Sequence, residues 1–332
     1  MSTISDDSRP QPHLRQFGID LGGTKTEVVV LNGQGETLLR ERRPTPASDY
    51  AAILDNIVDL LRFAESQVGP ALALGVGAPG APIPSTGLIK NANTTCLIGK
   101  PLKADLAQRL RIPVYVENDA NCFTLSESVD GAARGAHSVF GVILGTGVGG
   151  GLYLRDGLIT GLHHISGEWG HNPLPLRVCR EKAMPTIAPG RQCYCGLTDC
   201  IETYLSGPGL SHTYEEMNAG NKATNGAANR ENWATADQIC QLAQSGDALA
   251  LHVWDVYTSQ LAASLATVIN VIDPEVIVLG GGVSNVTGLC ESVTAELNTH
   301  VFSDSVKTKI VRALHGDSSG VRGAAWLSQG AV

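Results

Sequence analysis

One supersecondary unit occurs twice in this chain, and it limits the possible folds more than any other feature. An apolar run, a turn rich in Gly and Thr, and a second apolar run span residues 18–31 and again residues 141–154. Each unit is a predicted strand, turn and strand. The repeat predicts two related lobes that face each other across a cleft. Because helical segments alternate with strands along the rest of the chain, the predicted fold class is α/β.

Length and charge narrow the class of protein further. With 332 residues the chain is long enough for two lobes, each with its own core. The net charge of −8 argues against nucleic-acid binding as the main function. No apolar run is long enough to span a bilayer. Residues 1–16 are polar, with Pro10 and Pro12, and are predicted to be a disordered tail, not a signal peptide. We therefore expect a cytoplasmic protein.

One His and three closely spaced Cys form a candidate metal site: His171, Cys193, Cys195 and Cys200. Four such ligands satisfy tetrahedral zinc and leave no open position, so the predicted zinc is structural and holds a loop over residues 168–202. The alternatives are inert thiols or a Cys193–Cys195 disulfide, which is geometrically awkward across one residue and disfavoured in a reducing compartment. The other cysteines are predicted to be small buried apolar residues: Cys96, Cys122, Cys179, Cys240 and Cys290.

Three turns rich in glycine each follow a predicted strand. Turns without Cβ atoms let backbone N–H groups approach phosphate oxygens, and Thr hydroxyls and a Lys add further donors. None matches a Walker A loop or a GxGxxG dinucleotide motif, and a single glycine turn often only connects two strands. Together the turns predict a nucleotide site. Its candidate residues are Asp20, Gly22, Gly23, Thr24, Lys25, Gly145, Thr146, Gly147, Gly149, Gly280, Gly281 and Gly282.

Asn118 and Asp119 lie at a predicted strand-to-helix junction. One interpretation is helix capping alone, for which Asn and Asp are well suited. The functional interpretation is that Asp119 accepts a proton from a substrate hydroxyl as that hydroxyl attacks phosphorus. Phosphoryl transfer needs mainly positioning and charge neutralisation, so one oriented carboxylate beside a phosphate site suffices. Asn118 could cap the helix and bind a hydroxyl, and Asn91 and Asn93 add polar groups on a loop.

These motifs together resemble the ROK family of sugar kinases, from about residue 17 to the C-terminus. The motifs are DLGGTK at 20–25, ND at 118–119, GTG at 145–147, GEWGH at 167–171, CYCG at 193–196, CIE at 200–202 and GGG at 280–282. Within that family, KNAN at 90–93, GEWGHNPLP at 167–175 and the segment 315–326 are most similar to bacterial fructokinases, also called manno(fructo)kinases.

The resemblance implies an actin-like, ribonuclease H-like two-lobe fold, with an N-terminal lobe at 17–130 completed by a helix at 318–330, and a C-terminal lobe at 131–317. It implies ATP-dependent phosphorylation of a hexose at C6, with fructose expected, and glucose or N-acetylmannosamine as alternatives. It also implies a homodimer, Mg²⁺ near Asp20, zinc on His171 and the three Cys, and Asp119 as the base. The residues expected to contact sugar hydroxyls are Gly80, Asn93, Asn118, Asp119, Glu168, His171 and Glu202.

Four points accompany the resemblance. The family usually has Gly where Asp199 stands, and Asp tolerates a left-handed backbone better than most other residues. His163 and His164 are interpreted as loop or packing residues. A transcription regulator of the same family is disfavoured, because the short polar segment before residue 17 is far too small for a helix-turn-helix and the chain is acidic. A non-catalytic sugar sensor is disfavoured because Asp119 is present.

Overall fold

A computed structural model describes residues 14–155, 157–175, 189–219 and 233–329. The chain divides into two compact units. Unit 1 comprises Met1–Asp130, Asp156–Ile165 and Asp317–Val332, and unit 2 comprises Gly131–Arg155 and Ser166–Gly316. Residues 156–165, which were expected in the C-terminal lobe, group with unit 1. Most of the predicted tail lies outside the described residues, but its last residue, Gln16, already begins the first strand.

Strands and helices alternate along both units, which confirms the α/β prediction. The strands are β1 Gln16–Leu21, β2 Lys25–Leu31, β3 Thr37–Pro44, β4 Leu74–Ala78, β5 Ala81–Pro82, β6 Ile89–Lys90, β7 Val114–Asn118, β8 Ser138–Leu144, β9 Val148–Leu154, β10 Gly157–Leu158, β11 Val276–Gly280 and β12 Lys309–Arg312. The helices are α1 Tyr50–Val68, α2 Leu102–Leu110, α3 Asp119–Val129, α4 Glu202–Leu205, α5 Gly207–Asn218, α6 Ala236–Gln244, α7 Ala248–Ile272, α8 Leu289–Leu297 and α9 Ser319–Leu327. Within the described ranges, no helix is both long and apolar enough to cross a membrane.

The sheet of unit 1 has the strand order β3-β2-β1-β4-β7. β1, β4 and β7 run parallel, whereas β2 pairs antiparallel with β1 and β3 pairs antiparallel with β2. Because parallel strands end at the same edge of a sheet, the segments after β1, β4 and β7 meet there. Asp20 lies in register with Gly77, and Gly77 lies in register with Glu117. This edge therefore brings two carboxylates and the start of α3 together.

The last described helix, α9, packs directly on this sheet and on α3. A Cβ added to Gly18 would lie 2.2 Å from the backbone N of Ala325, and one on Gly75 would lie 1.7 Å from the carbonyl oxygen of Ala324. On the opposite face, a Cβ on Gly323 would lie 1.7 Å from the carbonyl oxygen of Cys122. Only glycine permits backbones to approach this closely. The centre of unit 1 is thus built from residues at both ends of the sequence.

In unit 2, β8 pairs antiparallel with β9 and parallel with β11, and β11 pairs parallel with β12. The long helix α7 is almost entirely apolar on its packed face and contributes Tyr257, Leu261 and Leu265 to the core. Tyr257 is fully buried, and its hydroxyl donates to the carbonyl oxygen of Leu205 at 2.8 Å. The bond joins α7 to the short helix α4, which begins at Glu202.

Several elements differ from the sequence expectation. The helices α4 and α5 were not predicted from the sequence. Gly149, which was predicted to belong to a phosphate turn, lies inside a strand, because β9 begins at Val148. β3, α8 and β12 were not predicted. β3 is an exposed edge strand rich in Arg and Glu, so it lacks the alternation of apolar residues that marks a strand.

Candidate active site and metal centre

Asp119 is the first residue of α3 and is held by the cap of that helix. The side chain of Asn118 accepts a hydrogen bond from the backbone N of Asn121 at 2.6 Å, which is the N-cap interaction. Asp119 Oδ1 accepts from the N–H of Ala120 at 2.8 Å. The residue is open to solvent, yet the protein around its carboxyl raises its pKa. A fixed carboxylate with increased proton affinity, still accessible, has the properties of a general base.

Asp20 lies at the end of β1 in the same edge of the sheet. Burial, followed by the charges of Asp119 and Glu27, raises its pKa to about 7 against a smaller lowering by Arg42. Burial likewise raises the pKa of Glu117. Three carboxyl groups with raised pKa values in one small region are a donor set that a divalent cation would stabilise, since hard cations take oxygen ligands. The chemistry of this donor set therefore fits Mg²⁺.

The turn between β1 and β2 is tight and well anchored. Gly22 N donates to the carbonyl oxygen of Lys25 at 2.9 Å, and Thr45 Oγ1 donates to the carbonyl oxygen of Gly22 at 2.8 Å. Thr24 and Lys25 are exposed. A Cβ on Gly23 would meet only Thr94 Oγ1 at 3.6 Å within the described residues. Gly22 is thus needed for the turn itself, whereas Gly23 presents an open backbone to a ligand.

Gly80 lies on the loop that follows β4, and Asn93 lies on the loop that follows β6. Gly80 has φ +80, and a Cβ there would lie 2.2 Å from the carbonyl oxygen of Lys90. The backbone therefore requires glycine at position 80, because the loop after β4 passes directly against β6. This requirement is separate from the sugar contact that was predicted for Gly80. Asn91 has φ 56, which Asn tolerates better than most residues, and Asn93 is exposed.

In unit 2, two of the predicted phosphate turns meet at the ends of neighbouring parallel strands. Gly280, at the end of β11, lies in register with Ile143 of β8. Gly281 has φ +83, and a Cβ there would lie 2.4 Å from the carbonyl oxygen of Leu144. The turns at 145–147 and 280–282 therefore lie side by side. A Cβ on Gly282 would meet nothing within 4 Å of the described residues, so its surface is open.

Glu202 is fixed against the first of these turns. Its Oε2 accepts the N–H of Val148 at 2.9 Å and lies 2.5 Å from the position of a Cβ on Gly147. The predicted sugar-binding carboxylate and the predicted phosphate turn are therefore neighbours. Gly149 plays a different part, since its carbonyl oxygen accepts the indole N–H of Trp169 at 3.0 Å. That bond positions the short 3-10 helix Trp169–His171, which follows Glu168.

The four predicted zinc ligands come together. Their donor atoms all lie within 4.8 Å of one another. Cys193 Sγ lies 3.6 Å from His171 Nδ1, and Cys195 Sγ lies 3.6 Å from Cys200 Sγ. Tetrahedral zinc with its usual bond lengths has edges of about 3.8 Å between sulfurs and about 3.6 Å between sulfur and nitrogen. The donor set and its spacing fit a closed zinc site.

The cysteines outside this cluster differ in burial. All seven described cysteines have free thiols. Cys122 and Cys240 are buried as predicted, whereas Cys96 and Cys290 are only half-buried. Cys179 lies outside the described residues.

A buried Arg holds the metal loop to the rest of unit 2. The guanidinium of Arg191 donates to the carbonyl oxygens of Thr203 and Gly209 and pairs with Glu216 of α5. It also stacks 4.2 Å from the centre of the Tyr204 ring. Nothing in the sequence marked Arg191, because its partners lie on helices that were not predicted.

Asp199 has φ 58, so this position does need the left-handed backbone. Its carboxylate accepts from the backbone N of Gly190 and Arg191 and from the hydroxyl of Tyr204. These bonds lower the pKa of Asp199 against a rise from burial. Asp at this position therefore adds contacts that Gly could not make.

His171 uses both of its ring nitrogens. Nδ1 faces Cys193 in the zinc set, and Nε2 lies 3.0 Å from the hydroxyl of Tyr194. Partial burial of the Tyr194 hydroxyl, with the charges of Glu202 and Glu168, raises its pKa to about 12. The three predicted sugar contacts of unit 2, Glu168, His171 and Glu202, thus surround one Tyr that the sequence analysis did not single out.

Comparison with known proteins identifies the family. The ROK family profile matches residues 16–331. The N-acetyl-D-glucosamine kinase of Salmonella typhimurium is 38% identical over 311 residues, which is 94% of this chain and 98% of that protein.

Solved structures agree on the fold. The ROK hexokinase from Thermus thermophilus has a TM-score of 0.79 at 27% identity, over 95% of this chain and 98% of that one. A ROK family glucokinase from Streptomyces griseus, in complex with glucose and AMPPNP, has a TM-score of 0.74 at 26% identity, over 96% of this chain and 100% of that one. The predicted actin-like fold is confirmed, and the chain belongs to the ROK family.

Proposed function

We propose that this protein transfers the γ-phosphoryl group of ATP to the C6 hydroxyl of a hexosamine, with N-acetyl-D-glucosamine as the first candidate. The observation that carries the choice of sugar is the 38% identity to N-acetyl-D-glucosamine kinases over nearly the full length of both chains. Support for the chemistry comes from Asp119, whose capped position and raised pKa suit a general base.

In this mechanism Asp119 accepts the proton of the sugar hydroxyl as the oxygen attacks phosphorus. Asp20 would hold Mg²⁺, which when bound neutralises charge on the phosphates. The open backbone at Gly23 and Gly282, with the hydroxyls of Thr24 and Thr146, would donate to phosphate oxygens. The amide of Asn118 uses its oxygen for the helix cap, so its NH₂ group is the part that would donate to the sugar.

Glu168, His171 and Glu202 would bind other sugar hydroxyls. With Nδ1 in the zinc set, His171 offers only Nε2 to a ligand, and the Tyr194 hydroxyl shares that atom. Zinc on His171, Cys193, Cys195 and Cys200 would act as a structural ion that fixes the imidazole and the start of α4. Glu202 would be oriented by its bond to Val148.

Fructose is a second candidate. It is favoured by the KNAN segment at 90–93 and the GEWGHNPLP segment at 167–175, which resemble fructokinases. The two sugars differ in the groups that they present at C2, so pocket contacts decide between them.

A coupled assay of ADP release tests the function. We expect kcat/KM to be highest for N-acetyl-D-glucosamine in a panel that includes N-acetylmannosamine, glucose, mannose and fructose. Fructose in first place would reverse the choice of sugar but keep the kinase. ADP release with none of these sugars would remove the proposed function.

Two further properties are proposed on the family resemblance. We propose a homodimer, for which light scattering in solution would give twice the mass of one chain. We also propose a cytoplasmic location, which fractionation of cells that produce the protein would test.

A further inference from the structure

His164 adopts a backbone conformation that is rare for a residue with a side chain. Its φ is 50, and its backbone N–H donates to the carbonyl oxygen of Gly161 at 3.3 Å in a tight turn. A left-handed conformation is unfavourable for an imidazole-bearing residue, although His is among those that adopt it more often. Strain of this kind persists where surrounding interactions hold it, and it is concentrated at functional sites.

The imidazole is not satisfied by the protein around it. His164 Nδ1 is buried and has no hydrogen-bond partner among the described residues. Asn121 Oδ1 is in the same situation, and the Asn121 side chain is 4% exposed. Leaving a buried polar atom unpaired costs more than a typical hydrogen bond contributes. Two such atoms in one region point to a ligand that supplies their partners.

Both residues belong to a polar group beside the candidate base. Asn121 Nδ2 donates to Glu117 Oε2 at 2.9 Å. Burial raises the pKa of Glu117, while the Asn121 bond and then the electrostatic influence of His164 lower it, so His164 is within electrostatic range of this carboxylate. Glu117 is 4% exposed and is two residues from Asp119.

The turn that carries His164 is fixed in place at two points. β10, which precedes the turn, packs against α3. Lys90 Nζ donates to the carbonyl oxygen of His163 at 2.8 Å and so ties the turn to β6, just before Asn93. All these residues belong to unit 1. The turn that carries His164 is therefore held between β6, just before Asn93, and α3, the two elements beside which the predicted sugar contacts of this unit lie.

We propose that His164 hydrogen-bonds the sugar substrate through its imidazole and helps to determine which sugar is accepted. This inference rests on the proposed kinase function. A neutral imidazole offers one donor and one acceptor, and the hydroxyl or acetamido groups of a sugar can pair with either. Because a buried polar group is left unpaired when an analogue lacks its partner, such a residue discriminates strongly between sugars.

Three substitutions at His164 separate recognition from backbone strain. His164→Gly removes both the strain and the imidazole, so we expect an unchanged or higher Tm, a sugar KM raised at least about tenfold, and an unchanged KM for ATP. His164→Ala keeps the Cβ and should weaken sugar binding as much as Gly does. His164→Asn keeps polar atoms and tolerates the left-handed backbone, so its KM should lie between those of Ala and wild type. His163→Ala is the matched control and should behave as wild type.

The sugar affinity of each variant is also measured by calorimetry, which does not depend on turnover. A His164→Gly protein with a changed Tm but wild-type sugar affinity would show that the residue only shapes the turn, and this would overturn the proposal. Wild-type sugar affinity in His164→Ala, together with weakened affinity in His164→Asn, would indicate an effect of loop flexibility. That result would also overturn the proposal. If wild type binds a sugar without phosphorylating it, the proposed function fails while the His164 series still decides this inference. If no sugar binds at all, both are overturned.

Discussion

Glu202 Oε2 lies 2.5 Å from the position that a Cβ on Gly147 would occupy. A glycine at position 147 therefore leaves room for the Glu202 carboxylate as well as for any phosphate. Gly147→Ala should push Glu202 away from the N–H of Val148 and lower kcat/KM for the sugar about tenfold, since a charged hydrogen bond contributes roughly 1.5–3 kcal/mol. The end of a Glu side chain can move, so Tm should change little. Gly145 lies in the same predicted phosphate turn, and Gly145→Ala is the matched control for the Glu202 contact, since its Cβ would meet only Ile143 Cγ2 at 3.9 Å in the described residues. Equal sugar kinetics in both variants would contradict the coupling.

Asp119→Asn tests the general base. Asn keeps the size of the side chain and its place at the start of α3, but it cannot accept the proton. We expect turnover to fall at least about a hundredfold, the usual lower limit for loss of a general base, while sugar affinity is partly retained. Steady-state kinetics and calorimetry on the same preparation measure both quantities. Near-normal turnover would exclude Asp119 from this role.

The raised pKa of Asp20 has a consequence for stability. In the unfolded chain its pKa is near 3.8, and in the folded protein it is about 7. Between these values the folded state binds the proton more tightly, so the free energy of unfolding falls as pH rises from about 4 to about 7. Asp20→Asn removes this decline. The Tm of the variant minus the Tm of wild type should therefore increase from pH 5 to pH 8, measured in the absence of nucleotide and Mg²⁺. A Tm difference that does not vary with pH would show that Asp20 is not the titrating group.

Gly23→Ala is a selective test of the phosphate turn. The added Cβ meets only Thr94 Oγ1 at 3.6 Å among the described residues, which is an ordinary contact, so folding should be unaffected. If the backbone here approaches phosphate oxygens, the methyl group should weaken ATP binding about tenfold without changing sugar affinity. Wild-type ATP affinity in this variant would mean that the phosphates lie elsewhere. Gly22→Ala is unsuitable, since its Cβ would lie 2.8 Å from the carbonyl oxygen of Lys25.

Removal of zinc should affect sugar binding more than nucleotide binding. Elemental analysis of protein purified without chelator should give about one zinc per chain, as a closed four-ligand site requires. Cys195→Ser should lose the metal, free His171 and Tyr194, and raise the sugar KM strongly, with ATP affinity nearly unchanged. A metal-free wild-type protein with full activity would refute a structural zinc.

Local signals predicted some parts of the molecule well and others poorly. Asn118 was recognisable because capping depends on a few adjacent residues, and the left-handed backbone at Asp199 could be anticipated from the residue type. Arg191 could not be, because its partners lie 12 to 25 residues further along. β3 was missed because it is held at the sheet edge by pairing with β2 and by ion pairs from Arg40 and Arg42 to Glu27, not by apolar alternation.

His164 shows a different limit. A histidine in a polar loop carries no sequence signal that separates a packing residue from a binding residue. Only the unpaired Nδ1, the positive φ and the nearby Glu117 distinguish the two, and each depends on segments far apart in the sequence.

The position of α9 has a consequence for how the protein is made. The glycine-lined backbone contacts of Gly18 and Gly75 require a helix that the ribosome synthesises only after the whole of unit 2. Until then, β1 and β4 expose an apolar surface to the cell, so the unit that begins first is completed last. Nascent chains stalled before Ser319 should therefore be bound by chaperones and cleaved readily by protease, whatever the state of unit 2. Release of the final helix would convert unit 1 to a resistant form in a single late step.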